Sequence, residues 1–205
     1  MYVPLLYSLS DDEAWDVVET AGAGFLVAAS AGQLHSAFVP VLANGEHRLL
    51  RAHVARANSW CSVLRDNDHV TALFNVASAY VSPNNHVSKR ENPAVVPTWD
   101  YVVAQIEGRL RIRDDVAWKR SLVIDMTTHF ERSQSAPWSV SDAPASYVEK
   151  LLDNIVGVEI AVVAVTASAK LSQNQPPQNQ QSVRENFEKG TPREQEVARK
   201  MNSAS

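Results

Sequence analysis

The chain has 205 residues, of which 45% are hydrophobic and 20% are charged, a composition typical of a globular protein with a sizeable core. The formal net charge of −4 gives no support for binding nucleic acid, because affinity for DNA comes mainly from Lys and Arg that neutralise phosphates. No apolar run reaches the ~18–20 residues that cross a bilayer, and the acidic start MYVPLLYSLSDDEAW is unlike a secretory leader, so we expect no membrane partner. The single Cys61 excludes an internal disulfide and favours a reducing, cytoplasmic location.

The first half of the chain predicts one helix followed by antiparallel strands. Ser10 and Glu13 have the spacing of a capping box, so a helix begins there. Apolar runs separated by the turn pairs Ala31-Gly32 and Asn44-Gly45 then predict a meander that ends near Ala55. Asn58 caps a short helix. The runs HVTALFNV and SAYVS predict the next strand or a bulged pair.

The second half predicts a long loop, two long strands and two helices between them. Residues 83–97 contain three prolines and little periodicity, which indicates a loop. Residues 101–113 follow as a strand, in which Gly108 indicates a bulge or bend. Asp114 or Asp115 then caps a helix with an apolar stripe every four residues: Trp118, Leu122, Met126 and Phe130. A further helix is predicted from about Pro144, and the last strand over residues 156–170.

The tail differs from the body in composition. Residues 175–183 are rich in Gln and Pro, which is typical of a linker, and Thr191, Pro192 and Glu194 then begin a helix. We therefore expect a body over residues 1–175 and a linker with a C-terminal helix over residues 176–205. Hairpin spacing within the body predicts an α+β, mainly β protein: an antiparallel barrel with peripheral helices, not a doubly wound parallel sheet.

Polar residues gather where predicted strands end, in four segments. The first is RAHVARAN, in which Arg56 precedes the start of a helix, and free N–H groups beside a guanidinium suit a phosphate. YVSPNNHVSK carries the donor pair Ser88-Lys89, VPTWDY carries Trp99, which can stack on a flat ligand, and KLSQN is mostly polar.

Each of these segments is also compatible with a purely structural role. Asn58 is a plain helix cap in that case, Lys89 lies on a surface loop, Trp99 closes a barrel end and KLSQN is a strand terminus. The histidines show no metal-binding spacing, and the sequence has neither a Gly-rich phosphate loop nor a nucleophile elbow. The sequence therefore predicts no metal site and identifies no catalytic residue.

Taken together, the segments resemble a known family. MYVP, AHVARAN, YVSP with SK, VPTWDY, PWSVSDAPASYVEKLLDNIVGVEI and KLSQN occur in this order, and together they closely resemble the PaiB-like family of FMN-binding transcriptional regulators. The resemblance covers about residues 1–175. It implies an FMN-binding split barrel of the flavin reductase and pyridoxamine-phosphate oxidase type, with about six or seven antiparallel strands. It also implies a homodimer with FMN at the subunit interface and a role as a negative transcriptional regulator.

The resemblance also implies which residues contact FMN. Those at the phosphate and ribityl end are His53, Arg56 and Asn58. Those that line the site and approach the ring are Ser82, Ser88, Lys89, Thr98 and Trp99. Those that close the site, from the same or the other subunit, are Lys170, Ser172 and Gln173.

Three functions stay open at this point. The first is an FMN-loaded dimer that regulates transcription, for which the negative charge gives direct DNA binding no support. The second is a flavin-dependent oxidoreductase that uses FMN and a reduced nicotinamide. The third is a haem-binding split-barrel protein with His53 or His86 as the axial ligand.

Overall fold

A computed structural model of the protein describes residues 1–203. This part of the chain contains six strands: β1 (Ala23–Ser30), β2 (Gln33–Asn44), β3 (Leu49–Ala55), β4 (His69–Val81), β5 (Thr98–Arg113) and β6 (Ile155–Lys170). It also contains six α-helices: α1 (Asp11–Ala21), α2 (Ser59–Val63), α3 (Val116–Glu131), α4 (Ala145–Asp153), α5 (Pro177–Glu188) and α6 (Pro192–Ser203). None of these helices is both long enough and apolar enough to cross a membrane.

The strands close into a barrel in the order β1-β2-β3-β6-β5-β4. β1 pairs with β2 and β4, and β3 pairs with β2 and β6, and all four pairs are antiparallel. The predicted α+β, mainly β barrel is therefore confirmed. β1 and β2 form a hairpin around Ala31 and Gly32, whose φ angles of 50° and 77° are both positive. A two-residue turn of this type matches the twist of the flanking strands, as the sequence predicts.

Strand alternation explains which side chains reach the barrel core. In β3, Leu50, Ala52 and Val54 are at most 2% exposed, whereas the residues between them are only half-buried. This is the period-two pattern that the sequence predicts. β4 is a single strand of 13 residues, so the alternative of a bulged pair is wrong.

The chain forms two compact units. The first unit consists of Gly22–Leu73 and Ile106–Val165. The second consists of Met1–Ala21, Phe74–Gln105 and the chain from Thr166 onward. The three groups of predicted flavin residues are distributed over both units, with His53, Arg56 and Asn58 in the first.

Helix α3 packs on the first unit through its predicted stripe. Leu122 and Met126 form a core cluster with Leu42, and Trp118 packs against it. The prediction fails for the last member of the stripe, because Phe130 is 40% exposed. The helix begins as predicted, since the Asp115 side chain accepts a hydrogen bond from the N–H of Trp118 at 2.8 Å.

Two glycines of the first unit lie where the backbone approaches other groups closely. A Cβ atom at Gly108 would lie 2.5 Å from Ile160 Cγ2 and 2.6 Å from the carbonyl oxygen of Ala161. A Cβ atom at Gly157 would overlap the ring of Trp118. β5 continues through Gly108, so this glycine allows close packing against β6 and does not end the strand.

The prediction of a linker over residues 175–183 is wrong from Pro177 onward, where α5 begins. The helix buries Val183 and Phe187, both 0% exposed, so two apolar residues one turn apart give a Gln-rich helix a buried face. The predicted cap of the last helix is confirmed, because the Thr191 N–H donates to Glu194 Oε2 at 2.7 Å.

Candidate functional site

Arg56 lies just beyond β3, and its guanidinium is already bound by the protein. Nη1 and Nη2 donate to the two oxygens of Asp114 at 2.9 and 2.5 Å. Nε donates to the carbonyl of Asp153 at 2.8 Å, and Nη2 also donates to that of Ile155 at 3.1 Å. Four of the five N–H groups of the side chain are therefore used within the fold.

Asp114 serves a second cation as well. Lys119, which is 2% exposed, places its Nζ 3.0 Å from Asp114 Oδ1 and donates to the carbonyl of Ile155 at 3.3 Å. The hydrogen bond from Arg56, with the ion pair to Lys119, lowers the pKa of Asp114 from 3.8 to about 2. The corner around Arg56 is thus an ion-pair network, and its guanidinium is only partly available to a phosphate.

The other two predicted residues of this group have separate environments. Asn58 caps α2, because its Oδ1 accepts a hydrogen bond from the Trp60 N–H at 2.8 Å. His53 lines a cavity of about 290 Å³ together with Met126, Phe130 and other residues of the first unit. Burial lowers the pKa of His53 below its usual range, which favours the neutral imidazole.

The loop after β4 carries an exposed lysine that is bound by a neutral side chain. Ser82 accepts a hydrogen bond at its Oγ from the Asn84 N–H at 3.2 Å, which begins a short 3-10 helix. Lys89 is exposed, and its Nζ donates to the amide oxygen of Asn84 at 2.6 Å. Within residues 1–203 the Lys89 ammonium has no carboxylate partner, so its charge is available to an anion.

Helix α5 fixes the position of this loop. Asn179, only 1% exposed, accepts from the Ser88 N–H at 3.1 Å and donates to Ser88 Oγ at 2.9 Å. His86 lies two residues earlier in the loop and is 4% exposed. Neither ring nitrogen of His86 has a hydrogen-bond partner among the described residues. Burial lowers the pKa of His86 as well.

The predicted residues of β5 and β6 come together in the second unit. Lys170 Nζ donates to Thr98 Oγ1 at 2.5 Å and to the carbonyl oxygen of Trp99 at 2.7 Å, and it lies 3.9 Å from Asp100 Oδ1. Ser172 donates to Asp100 through its N–H at 3.1 Å and its Oγ at 2.6 Å. Asp100 is fully buried, and this burial raises its pKa in spite of the hydrogen bonds from Ser172 and the charge of Lys170.

The KLSQN segment is tied to the protein by its own polar groups. Gln173 donates to the carbonyl of Ala169 at 2.5 Å and accepts from the Leu171 N–H at 2.6 Å. Ser172 adopts a φ of 61°, which is uncommon outside glycine and is stabilised here by both hydrogen bonds to Asp100. These contacts are those of a segment that ends a strand, which is the purely structural role considered for KLSQN above.

Trp99 projects in the opposite direction from Thr98 and Asp100 and stays accessible. It is 51% exposed, and the neighbouring Tyr80 is 48% exposed. The two rings meet edge to face with their centroids 6.2 Å apart. An accessible aromatic pair of this kind suits a flat ligand.

Sequence reasoning missed two buried residues that organise these groups. Asp100 follows Trp99 in VPTWDY, and strand alternation would have placed it on the same side as Thr98. Asn179 lies in the Gln-rich stretch, where no local pattern indicates its contact with Ser88. The described residues 1–203 contain no cluster of three or more His, Cys, Asp or Glu side chains that could hold a metal ion.

The chain matches a known protein family over most of its length. Residues 1–164 match the family described as "Putative FMN-binding domain". An uncharacterized protein of Emericella nidulans is 32% identical over 173 residues, which are 72% of this chain and 68% of that protein. An uncharacterized protein of Aspergillus fumigatus is 30% identical over 174 residues, which are 68% of this chain and 66% of that protein.

Solved structures with a similar fold include several flavin proteins. The FAD and heme binding protein from Mycobacterium smegmatis has a TM-score of 0.57 at 14% identity, covering 78% of this chain and 71% of that one. The flavocytochrome Anf3 from Azotobacter vinelandii has a TM-score of 0.58 at 10% identity, covering 80% and 69%. A conserved hypothetical protein from Mycobacterium tuberculosis has a TM-score of 0.59 at 14% identity, covering 86% and 94%. At this identity the similarity shows the fold alone.

The ion-pair network around Asp114 makes a testable prediction for stability. Asp114→Asn leaves the Lys119 ammonium buried without a carboxylate, so we expect the free energy of unfolding at neutral pH to fall by about 2–3 kcal/mol, after allowing for the partial exposure of Asp114. Because the folded pKa of about 2 lies below 3.8, the stabilisation is complete above pH 3.8 and is lost as the pH falls toward 2. In urea unfolding across this range, the free energy of unfolding should fall more steeply with pH in the unmodified protein than in the variant.

Asp125→Asn is the matched control for this experiment. Asp125 forms an ion pair with Arg51 at 2.7 Å, but both side chains are partly exposed. We expect this variant to lose less than about 1 kcal/mol. If the two variants lose the same free energy of unfolding, Asp114 contributes no more than an ordinary surface ion pair.

The buried histidine of the loop makes a second prediction, for pH dependence. Since the pKa of His86 is lower in the folded protein than its ordinary value of 6.5, the unfolded chain takes up the proton first as the pH falls. The stabilisation is therefore complete above pH 6.5 and decreases below it. His86→Leu should reduce the drop in the urea midpoint between about pH 8 and about pH 5. Replacing His53, whose pKa is also lowered by burial, should reduce it further. An equal drop in His86→Leu and in the unmodified protein would refute the assignment.

Proposed function

This chain belongs to the FMN-binding domain family, and from that premise we propose that it binds FMN as a homodimer and acts as a negative transcriptional regulator. The family match over residues 1–164 is the observation that carries the FMN part of the proposal. The regulatory part rests on the resemblance to the PaiB-like proteins.

We place the FMN phosphate at the loop of Ser82, Ser88 and Lys89. Lys89 has an exposed ammonium whose hydrogen-bond partner is the neutral Asn84 side chain. A lysine binds phosphate as a point charge, and the nearby serine hydroxyls can donate hydrogen bonds. Arg56 is a weaker candidate, because the Asp114 carboxylate already balances its charge. We propose that Arg56 positions the end of β3, near which His53 and Asn58 lie.

We place the isoalloxazine ring against Trp99. The indole is half exposed and Tyr80 supports its edge, so a second flat ring can pack on it. The contacts of Lys170 with Thr98 and of Ser172 with Asp100 fix the strand ends that carry Trp99. Lys170, Ser172 and Gln173 therefore act as positioning residues in this proposal. When bound, FMN supplies the redox chemistry, and the protein supplies orientation and solvent access.

An exposed apolar stripe supports the homodimer. Phe25 pairs with Phe38 across β1 and β2 and with Leu73 across β1 and β4. These three side chains are 51%, 65% and 42% exposed, and the phenyl centroids lie 5.1 Å apart. Contiguous apolar surface on a sheet face marks an interaction site. We propose that a second copy covers it, with FMN at the resulting interface.

The two C-terminal helices are the part of the chain to consider for contact with DNA. α5 and α6 are joined by Lys189–Thr191, and short turns of this length join the helices of many DNA-binding modules. The basic residues of α6 are nearly balanced by acidic ones: Arg193, Arg199 and Lys200 against Glu194 and Glu196. Affinity for DNA through this helix would therefore be weak and would fall further as the salt concentration rises.

A flavin-dependent oxidoreductase is the alternative function. The half exposure of Trp99 and Tyr80 favours it, because a ring bound there would stay accessible to a reduced nicotinamide. Haem binding is the third candidate, supported by a structural neighbour named as a heme-binding protein. His86 is enclosed and presents no open axial position, whereas His53 is half-buried and lines the smaller cavity.

The phosphate assignment can be tested by comparing FMN with riboflavin, which lacks the phosphate. Lys89→Gln should weaken FMN binding about tenfold, the factor expected for one charge-assisted hydrogen bond, and leave riboflavin binding unchanged. Fluorescence titration of the flavin-free protein measures both constants. Arg90→Gln, at the exposed neighbouring position, is the control and should change neither. Equal losses for FMN and riboflavin in Lys89→Gln would contradict the assignment.

Two assays on the flavin-loaded protein separate the regulator from the enzyme. For a regulator we expect slow loss of flavin colour with reduced nicotinamide under anaerobic conditions, together with binding to the promoter DNA of a target gene. DNA binding is measured by fluorescence anisotropy at two salt concentrations, because a true contact with phosphates weakens as salt rises. Rapid bleaching of the flavin without DNA binding would favour the oxidoreductase.

A further inference from the structure

A groove in the first unit is lined by none of the residues predicted to hold FMN. It has a cavity volume of about 830 Å³ and is formed by α3, by residues 137–143 and by the start of α4. Cavities of ~300–1,000 Å³ are typical of small-molecule sites. The motif PWSVSDAP, which is part of the family resemblance but has no role in the proposed flavin site, supplies one wall.

The walls of the groove are fixed by polar contacts. The Trp138 N–H donates to Glu131 Oε2 at 3.0 Å, which ties the motif to the end of α3. Ser139 and Asp142 form a capping box that holds the following turn. Arg120 of α3 forms an ion pair with Glu149 of α4. A site with walls held in this way is preformed and loses little entropy when a ligand binds.

The groove combines apolar surface with hydroxyl groups. Trp138 is 46% exposed and Ile124 is 45% exposed, although both line a concave surface. Thr127, Thr128 and Ser141 add hydroxyl donors along the same walls. This pattern, mostly apolar with a few convergent polar groups, is typical of sites for flat organic molecules.

One cation at the groove has no partner. Arg132 follows the last residue of α3 and lines the cavity. Within residues 1–203 its guanidinium makes neither a hydrogen bond nor an ion pair, in contrast to Arg120, which is paired with Glu149. The acidic residue that lines the groove is Glu131, and one of its oxygens already accepts from Trp138. An unpaired guanidinium is suited to a carboxylate, which it can bind through two parallel hydrogen bonds.

We propose that the groove binds a small aromatic carboxylate, with the ring against Trp138 and the carboxylate on Arg132. The site does not depend on the flavin. The smaller cavity that contains His53 shares Thr127, Glu131 and Trp138 with the groove. The groove therefore adjoins the cavity that His53 lines.

The test uses 2-naphthoate and its uncharged amide, 2-naphthamide, as probes in calorimetric titrations of the full chain as purified. We expect 2-naphthoate to bind and Arg132→Gln to weaken its binding about tenfold, with no effect on 2-naphthamide. Trp138→Leu should weaken both probes, because it removes the aromatic surface but not the charge. Arg193→Gln removes an exposed arginine on α6 and is the matched control.

Three results would overturn the proposal. One is the absence of 2-naphthoate binding at millimolar concentration in the unmodified protein. Another is the same affinity in Arg132→Gln and in Arg193→Gln. The last is displacement of 2-naphthoate by FMN, which would make the groove part of the flavin site. Arg132 is exposed and has no partner to lose, so its variant should unfold at the same urea concentration as the original chain, and this is checked first.

Discussion

The first unit depends on one interaction, the pairing of the Asp114 carboxylate with Arg56 and Lys119. A buried ammonium such as that of Lys119 is tolerated only with a close negative partner. By meeting this need, Asp114 joins the end of β5 and the first turn of α3 to the corner after β3. Arg56 and Lys119 then reach the carbonyl of Ile155 at the start of β6. The same interaction limits the charge that Arg56 can offer to a ligand.

The second unit also contains a carboxylate that its neighbours hold in place. Asp100 is buried and receives two hydrogen bonds from Ser172, while Lys170 binds the neighbouring backbone and hydroxyl oxygens. Because these polar groups satisfy one another, little of their capacity is left for a ligand, whereas Trp99 and Lys89 stay exposed. Asn179 of α5 keeps the Lys89 loop in place. Residues beyond the part that matches the family thus help to shape the proposed phosphate site.

Local patterns in the sequence predicted most of the fold. A single sequence reveals features that depend on residues a few positions apart. Examples are the alternation in β3, the turn at Ala31-Gly32 and the cap formed by Thr191 and Glu194. The role of Arg56 was not predictable in this way, since Asp114 lies 58 residues away along the chain. The Gln-rich α5 was misread for a related reason: it is stabilised by the burial of Val183 and Phe187 in the folded protein and not by its own composition.

The central claim is that two copies of this chain bind FMN. Native mass spectrometry of the protein, purified and then supplied with excess FMN, measures chain number and bound flavin in one experiment. The proposal predicts a dimer that carries two FMN molecules, and release of the flavin when the dimer is dissociated. A monomer that keeps FMN would contradict the interface, and a dimer that never takes up flavin would contradict the assigned ligand.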